Sequence, residues 1–240
     1  DFGNETVFKT LKKKGKNKLS YFNRIIKLLI QIQSIKHRKV KNFRNQNYII
    51  PKYDKKILIN EANLFCDWYA KNNLSKLRKK RFCKKFKKII KELTLKLKLK
   101  DNIFVHRDFH VSNLMSVKNQ IGLIDSQDAL IGNKAYDLAS LIDDVRLKTS
   151  YSFKEKIFKF YIKKQKNLDI KKFKNDFEIL SVLRNLKIIG IFTRLALRDR
   201  KKNYLRFIPY TWQLINMRID QNRTFIDLKN LLSQNFKKIK

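Results

Sequence analysis

Three polar side chains in the middle of the chain have the types and the spacing that phosphoryl transfer requires. Asp108 follows the short apolar run 103–105, and Asn113 comes five residues later. Asp125 follows another apolar run, twelve positions after Asn113. A carboxylate can accept the proton of an attacking hydroxyl, and hard oxygen ligands can hold the Mg²⁺ that neutralises phosphate charge. We therefore predict Asp108 as the catalytic base, with Asn113 and Asp125 as the metal ligands.

The elements that must position these side chains are short strands. Residues 103–105, 113–117 and 121–124 are apolar runs of strand length, and residues 118–120 between the last two are predicted to form a turn. Two strands joined by a tight turn bring Asn113 and Asp125 close to each other. The spacing also fits the catalytic-loop pattern His-Arg-Asp-x-x-x-x-Asn of kinases, which begins at His106.

Five further polar residues surround this constellation. We predict that His106 is structural, packing and hydrogen-bonding the loop backbone. His110 could support the loop or contact substrate, and Arg107 shares these two alternatives. Asp128 could bind substrate or cap the next turn. Asp137 stands just before the apolar face of a helix and is predicted to be its N-cap.

The remainder of the chain has the periodicity of helices. With only 5 Gly and 2 Pro, few turn signals interrupt it. Residues 36–53 are polar and basic and are predicted to be a loop. The sequence therefore predicts an α+β, mostly helical fold around a small central β-hairpin. Helices are expected at residues 19–35, 55–71, 75–97, 137–145, 153–165, 173–199, 204–218 and 225–236.

The chain is strongly basic, with a formal net charge of +38. Such a charge could indicate a polyanionic partner, either nucleic acid or an anionic membrane surface. Compositional drift is the favoured interpretation, because lysines are spread over the whole length beside abundant Asn and Ile. A nucleic-acid partner is not excluded by the charge, and no apolar run approaches a membrane span.

Two cysteines, Cys66 and Cys83, are too few for a disulfide framework in a chain of 240 residues. Both lie in helical patterns and are predicted to be buried free thiols. A reducing cytoplasm fits this composition.

The motifs resemble those of the aminoglycoside phosphotransferase/choline kinase superfamily, which shares the protein-kinase fold. The greatest resemblance is to the bacterial anomeric kinases of N-acetylmuramate and N-acetylglucosamine. Residues 106–115 match their catalytic loop, and residues 124–129 match their Ile-Asp-Phe-Gln-Asp-Ala motif except at Ser126. Residues 132–138 match their Gly-x-x-x-Tyr-Asp-Leu motif.

The resemblance extends over about residues 1–219 and implies a domain arrangement. Residues 1–18 are expected to be a hinge from an amino-terminal lobe, and residues 19–220 to be the carboxy-terminal catalytic lobe. Residues 221–240 are expected to be a basic helix and tail. The five glycines are too scattered for a Gly-rich phosphate loop. We therefore expect that the amino-terminal lobe is missing and that this chain alone is inactive. The ATP-binding residues of that lobe are unknown.

The resemblance implies ATP and Mg²⁺ as cofactors and a small sugar as the phosphate acceptor. The resemblance favours an amino sugar of cell-wall recycling, and the net charge of +38 agrees with this, because it would repel cationic aminoglycosides at long range. An aminoglycoside-type or choline-type kinase is the alternative. A basic nucleic-acid-binding module and an inactive pseudokinase fragment are alternatives of other classes.

Overall fold

The computed structural model describes residues 3–13, 17–36, 38–41, 43–118 and 120–236. These residues form two compact units. The first takes the described residues up to Tyr53 together with Leu99–Phe177, and the second takes Asp54–Lys98 together with the described residues from Glu178 onward. Most of the described elements are helices, and the strands are short, so the predicted α+β, mostly helical class is confirmed.

Three antiparallel strand pairs form in the first unit. Strands β4 (Leu114–Val117) and β5 (Gln120–Leu123) form the predicted central hairpin. Strand β3 (Asp101–Val105) pairs with β6 (Leu130–Asn133), which was not predicted. Strands β1 (Lys39–Lys41) and β2 (Asn47–Ile49) pair inside the segment that we expected to be a loop, so that prediction is wrong there.

The helices of the first unit pack around these strands through apolar stripes. Helix α2 (Lys18–Gln33) begins at Asn17, whose side chain accepts a hydrogen bond from Ser20 N at 3.1 Å. Its Phe22 ring packs edge-on against Phe153, with 5.1 Å between ring centroids. The remaining helices are α1 (Val7–Lys12), α6 (Ala135–Ile142), α7 (Tyr151–Lys163) and the first part of α8 (Ile170–Leu197).

The second unit is helical, and its core is built around Phe65. The Phe65 ring stacks on Phe86 at 5.5 Å and meets Trp212 edge-on at 5.7 Å between centroids. Gly190 packs closely against the backbone of Leu64 and Phe65. A Cβ at Gly190 would overlap that backbone. The helices are α3 (Lys55–Leu64), α4 (Lys71–Asn73), α5 (Lys76–Leu95), α9 (Ile208–Ile219) and α10 (Ile226–Asn235), with a π-helix at Phe65–Ala70 and 3-10 turns at Lys202–Phe207 and Arg223–Phe225.

The predicted helices are found within a few residues of their expected ends. The helix expected at 55–71 is divided by the π-helical turn, and the helix expected at 204–218 begins as a 3-10 turn. Among the described residues, none of the helices combines the length and the apolarity needed to cross a bilayer. Asp1 and Phe2 of the predicted hinge, and Asn119 of the predicted turn, lie outside the described residues. The domain limits stay predictions.

Candidate active site

The three residues predicted to carry the chemistry lie together at one end of the β4–β5 hairpin. Asn113 and Asp125 flank the two strands, and Ile124 N donates to Asn113 O at 3.1 Å, so the ladder continues to this end. Asn113 Nδ2 lies 3.4 Å from Asp125 Oδ2 and 3.2 Å from the backbone oxygen of Asp108. The structure thus brings Asp108, Asn113 and Asp125 to one place.

The loop between β3 and β4 folds back on itself to hold Asp108. His110 N donates to Asp108 O at 3.0 Å, and Asn113 N donates to His110 O at 2.9 Å. Phe109 and Val111 are fully buried, while Asp108 is half-buried. Alternating buried apolar and polar residues therefore anchor the loop and leave the Asp108 carboxylate partly accessible to solvent.

Asn113 and Asp125 have the hard oxygen atoms that a magnesium ion would need as ligands. The Asn113 amide nitrogen is used by Asp108 and Asp125, so its oxygen is the atom left for a cation. Asp125 is exposed, and its Oδ1 accepts from Gln127 Nε2 at 2.6 Å. No cluster of three His, Cys, Asp or Glu side chains suited to a metal occurs in the described part of the chain. A Mg²⁺ here would take its other ligands from phosphate and water, as this ion commonly does.

Two residues of the site have left-handed backbone conformations. Arg107 has φ of 72° and Asp125 has φ of 69°. Such conformations cost about 1–3 kcal/mol for residues other than Gly, with Asp and Asn the most tolerant, and they cluster at functional sites. Both residues mark the point where a strand ends and the chain turns into the site.

The prediction that Asp137 is a helix N-cap is wrong. Asp137 is the third residue of α6, whose N-cap is Lys134. The Asp137 side chain is 1 % exposed and accepts the His106 N–H at 2.7 Å and the Arg107 N–H at 3.0 Å. Asp137 therefore holds the start of the catalytic loop. This role is structural, but it depends on hydrogen bonds from the loop backbone and not on capping a helix.

A second buried carboxylate, which the sequence did not reveal, holds the other end of the loop. Asp144 follows α6 and is 2 % exposed. Its Oδ2 accepts from Val111 N at 3.3 Å, and its Oδ1 accepts from Arg146 N at 3.0 Å. Next to it, Asp143 Oδ1 lies 3.2 Å from Lys154 Nζ, and both side chains are buried. The only sequence signal for these contacts was the pair Asp143-Asp144 directly after an apolar helix.

His106 has the structural position that we predicted. It is fully buried, and its Nε2 lies 3.0 Å from Ile124 O. Because a carbonyl can only accept, Nε2 carries the proton. Burial lowers the pKa of His106, and this effect outweighs the hydrogen bond to the Ile124 carbonyl and the nearby Asp108 and Asp125 charges, which raise the pKa. The ring is thus neutral and ties the catalytic loop to the residue before Asp125.

Arg107, His110 and Asp128 lie beside the loop. Arg107 Nη1 donates to Asp128 O at 3.2 Å, and its guanidinium lies 5.3 Å from the centroid of the Tyr53 ring. His110 is 5 % exposed and is used through its backbone in the loop turn. These contacts are those of loop support, while the Asp128 side chain is exposed.

Comparison with known proteins identifies the family that the chain matches. Residues 17–168 match the model of the phosphotransferase enzyme family. The chain is 32 % identical over 167 residues to an N-acetylmuramate/N-acetylglucosamine kinase of Neisseria meningitidis, covering 67 % of this chain and 50 % of the relative. A kinase of the same name from Pseudomonas aeruginosa is 29 % identical over 191 residues, covering 77 % and 56 %. The chain spans about half the length of the curated relatives it matches.

Solved structures resemble this fold at low sequence identity. The ethanolamine kinase of Plasmodium vivax superposes with a TM-score of 0.61 and 13 % identity, covering 92 % of this chain and 65 % of that chain. The choline kinase of Cryptosporidium parvum gives 0.54 and 15 %, covering 93 % and 71 %. These two similarities concern the fold. Because the family model matches more than half of the sequence, the chain belongs to the phosphotransferase enzyme family.

Proposed function

We propose that this chain carries the catalytic centre of an ATP- and Mg²⁺-dependent kinase that phosphorylates a hydroxyl of an amino sugar. The observation that carries the proposal is the meeting of Asp108, Asn113 and Asp125 at one end of the central hairpin. This set supplies one general base and two hard oxygen ligands, which are the parts that in-line phosphoryl transfer takes from a protein.

In the proposed reaction, the acceptor hydroxyl lies against the Asp108 carboxylate. The hydroxyl oxygen forms a bond to the γ-phosphorus of ATP as the bond to the β,γ-bridging oxygen breaks, and its proton passes to Asp108. ADP leaves with the electron pair of the broken bond. Asn113 and Asp125 would hold Mg²⁺, which supplies neutralisation of phosphate charge when bound. Asp137 and Asp144 fix the two ends of the loop and so keep Asp108 in position.

The substrate part of the proposal is supported by the relatives and by charge. The two relatives described above are both named as N-acetylmuramate/N-acetylglucosamine kinases. A neutral or anionic sugar also suits a chain of net charge +38 better than a polycationic antibiotic does. We therefore place the reaction in the reuse of cell-wall amino sugars in the cytoplasm, where ATP is available.

We further propose that turnover needs residues outside these 240. The five glycines of the chain are scattered, and the sequence has no Gly-rich loop that could bind the ATP phosphates. The chain alone would then bind ATP weakly and turn over far more slowly than the product of its complete gene.

The test compares the product of the complete gene with the 240-residue chain. Consumption of Mg·ATP is measured with N-acetylmuramate, N-acetylglucosamine, kanamycin and choline. Asp108→Asn should reduce kcat by about 10²–10⁴-fold, the usual contribution of a general base. Asp227→Asn makes the same chemical change at an exposed carboxylate of α10, which belongs to neither the loop nor the hairpin of the site, and should leave kcat unchanged.

Each result separates one alternative. Turnover on kanamycin or choline alone would replace the amino-sugar proposal by one of the other kinase types. An absence of turnover on all four acceptors, with the protein folded, would favour the pseudokinase alternative. Equal rates for Asp108→Asn and the unsubstituted protein would refute the role of Asp108.

A further inference from the structure

Helix α5 carries a dense run of positive charge. Ten of the sixteen residues from 76 to 91 are Lys or Arg and none is acidic, whereas 58 of all 240 residues are Lys or Arg. The exposed members define what we call the α5 basic face: Lys76, Arg78, Lys80, Arg81, Lys84, Lys85, Lys87, Lys88 and Lys91. These residues occupy more than half of the helix circumference at 100° per residue.

The opposite side of α5 fixes the orientation of this face. Phe82, Phe86, Ile90 and Leu93 are buried, and the Phe82 and Phe86 rings stack with 5.5 Å between their centroids. The Phe65 ring stacks on Phe86 from the neighbouring π-helix. Because the apolar stripe is committed to the core, the basic face must point outward along the whole helix, which is about 30 Å long.

The charges of the basic face are not neutralised by the protein. Within the described residues, none of its cations forms an ion pair, and Arg78 makes only a 3.4 Å hydrogen bond to Gln234 O. Elsewhere in the same unit, Lys187 pairs with Glu61 at 2.9 Å and Lys229 pairs with Asp220 at 2.8 Å. Like charges four residues apart on a helix are each destabilising by about 0.2–0.5 kcal/mol. Compositional drift accounts for the number of lysines in the chain, whereas α5 gathers nine exposed cations on one face of one helix.

From this arrangement we infer that the α5 basic face binds the phosphate backbone of double-stranded nucleic acid. The face holds nine exposed cations on a rigid helix, and a duplex presents about one phosphate charge per 1.7 Å of its axis, so several cations can contact phosphates at once; such binding is independent of base sequence. This inference is separate from the proposed kinase activity, and it reverses the preference for drift that the sequence alone suggested.

Two other polyanions fit this face less well. An anionic membrane would gain from apolar side chains inserted beside the charges, but on α5 only Leu77 and Leu95, near the two ends, are large and exposed apolar residues. A single strand would gain from aromatic rings on which bases stack. The aromatic residues of α5, Phe82 and Phe86, are both buried.

Four lysines carry the test. Lys80, Lys84, Lys87 and Lys91 lie at spacings of four, three and four residues and form one continuous row of the face. Glu92 and Asp227 border Lys85 and Lys88 in a groove against α10, so those two lysines are left out of the test. Replacing the four lysines by Gln keeps helix propensity and removes four charges.

The control removes the same charge from another surface. Lys156, Lys159 and Lys163 on α7 and Lys171 on α8 are exposed in the same way and are also replaced by Gln. Both variants then have the same net charge. Binding of a fluorescently labelled 20-base-pair duplex is measured by anisotropy over a series of KCl concentrations, and circular dichroism verifies that both variants are folded.

The inference predicts a local effect. Each lost phosphate contact lowers the slope of log K against log salt by about 0.9, so the α5 variant should lose about 3–4 units of slope and at least tenfold in affinity at 0.15 M KCl. The α7/α8 variant should retain most of the affinity and slope. Equal losses in both variants would show that only overall charge matters and would overturn the inference. So would absence of duplex binding at 0.15 M KCl, or vesicles of anionic lipid that displace the duplex from the unsubstituted chain.

Discussion

The buried carboxylate of Asp137 should decide whether the catalytic loop stays in place. It accepts hydrogen bonds from the backbone N–H groups of His106 and Arg107, at 2.7 and 3.0 Å, one on each oxygen of the carboxylate. In Asp137→Asn, one side-chain oxygen remains as a hydrogen-bond acceptor. The new NH₂ group faces a backbone N–H and cannot accept a hydrogen bond from it. A hydrogen bond to a charged group contributes about 1.5–3 kcal/mol, and an unpaired buried donor costs about 1–3 kcal/mol.

Since these two costs overlap, we expect Asp137→Asn to reduce the free energy of unfolding by about 2–4 kcal/mol. Urea denaturation gives this difference from the change in midpoint at constant m-value. Hydrogen exchange at the His106 and Arg107 amides then locates the effect. Their protection should fall further than the global loss of stability requires, because the local bonds are the ones that weaken.

Asp176→Asn is the matched control for this experiment. Asp176 is also fully buried and accepts a backbone N–H, from Leu99 at 2.8 Å, and the Asn133 side chain, also at 2.8 Å. Its substitution should destabilise by a comparable amount without an extra loss of protection at His106 and Arg107. The reasoning is refuted if Asp137→Asn costs less than about 0.5 kcal/mol or if the two variants change the loop amides equally.

Three further changes test other parts of the structure. Gly190→Ala should destabilise by about 1–3 kcal/mol or more in urea unfolding, because its Cβ would lie 2.7 Å from Phe65 N; a neutral result would contradict the close approach. Burial depresses the pKa of His106, so the unfolded state binds a proton that the folded state excludes; stability should fall by up to about 1.4 kcal/mol per pH unit below pH 6.5, and His106→Gln should remove that part of the slope. Lys154→Met removes the buried cation beside Asp143 and should cost about 3–5 kcal/mol, whereas the double change with Asp143→Leu should recover much of it.

The part of the site that sequence reasoning predicted depends on local geometry. Asn113 and Asp125 are joined through a hairpin only a few residues long, so strand length and a turn signal are enough to place them together. Asp108 lies on the loop that enters the same hairpin. The sequence also suggested a structural role for His106, and its ring is buried against Ile124 O.

The parts that were missed depend on contacts between residues distant in sequence. Strand β6 has four residues and is identified only by its partner β3, about 25 positions earlier. Asp137 was read as a cap because its helix was expected to begin there, and no local signal shows that its carboxylate reaches back thirty residues to the loop. Strands β1 and β2 are exposed and have three residues each, which is too short for the apolar alternation from which a strand is predicted.

The pairing of strands also bears on the order in which the site assembles. The β4–β5 hairpin lies entirely between β3 and β6 in the chain, so one antiparallel pair is nested inside the other. Closing the inner pair first shortens the loop that the outer pair must close, which lowers its entropic cost. We expect amides of β4 and β5 to become protected before those of β3 and β6 in pulse-labelled refolding, and the reverse order would contradict this. The site would then be completed late in folding, when β3 and β6 pair around the hairpin that has already formed.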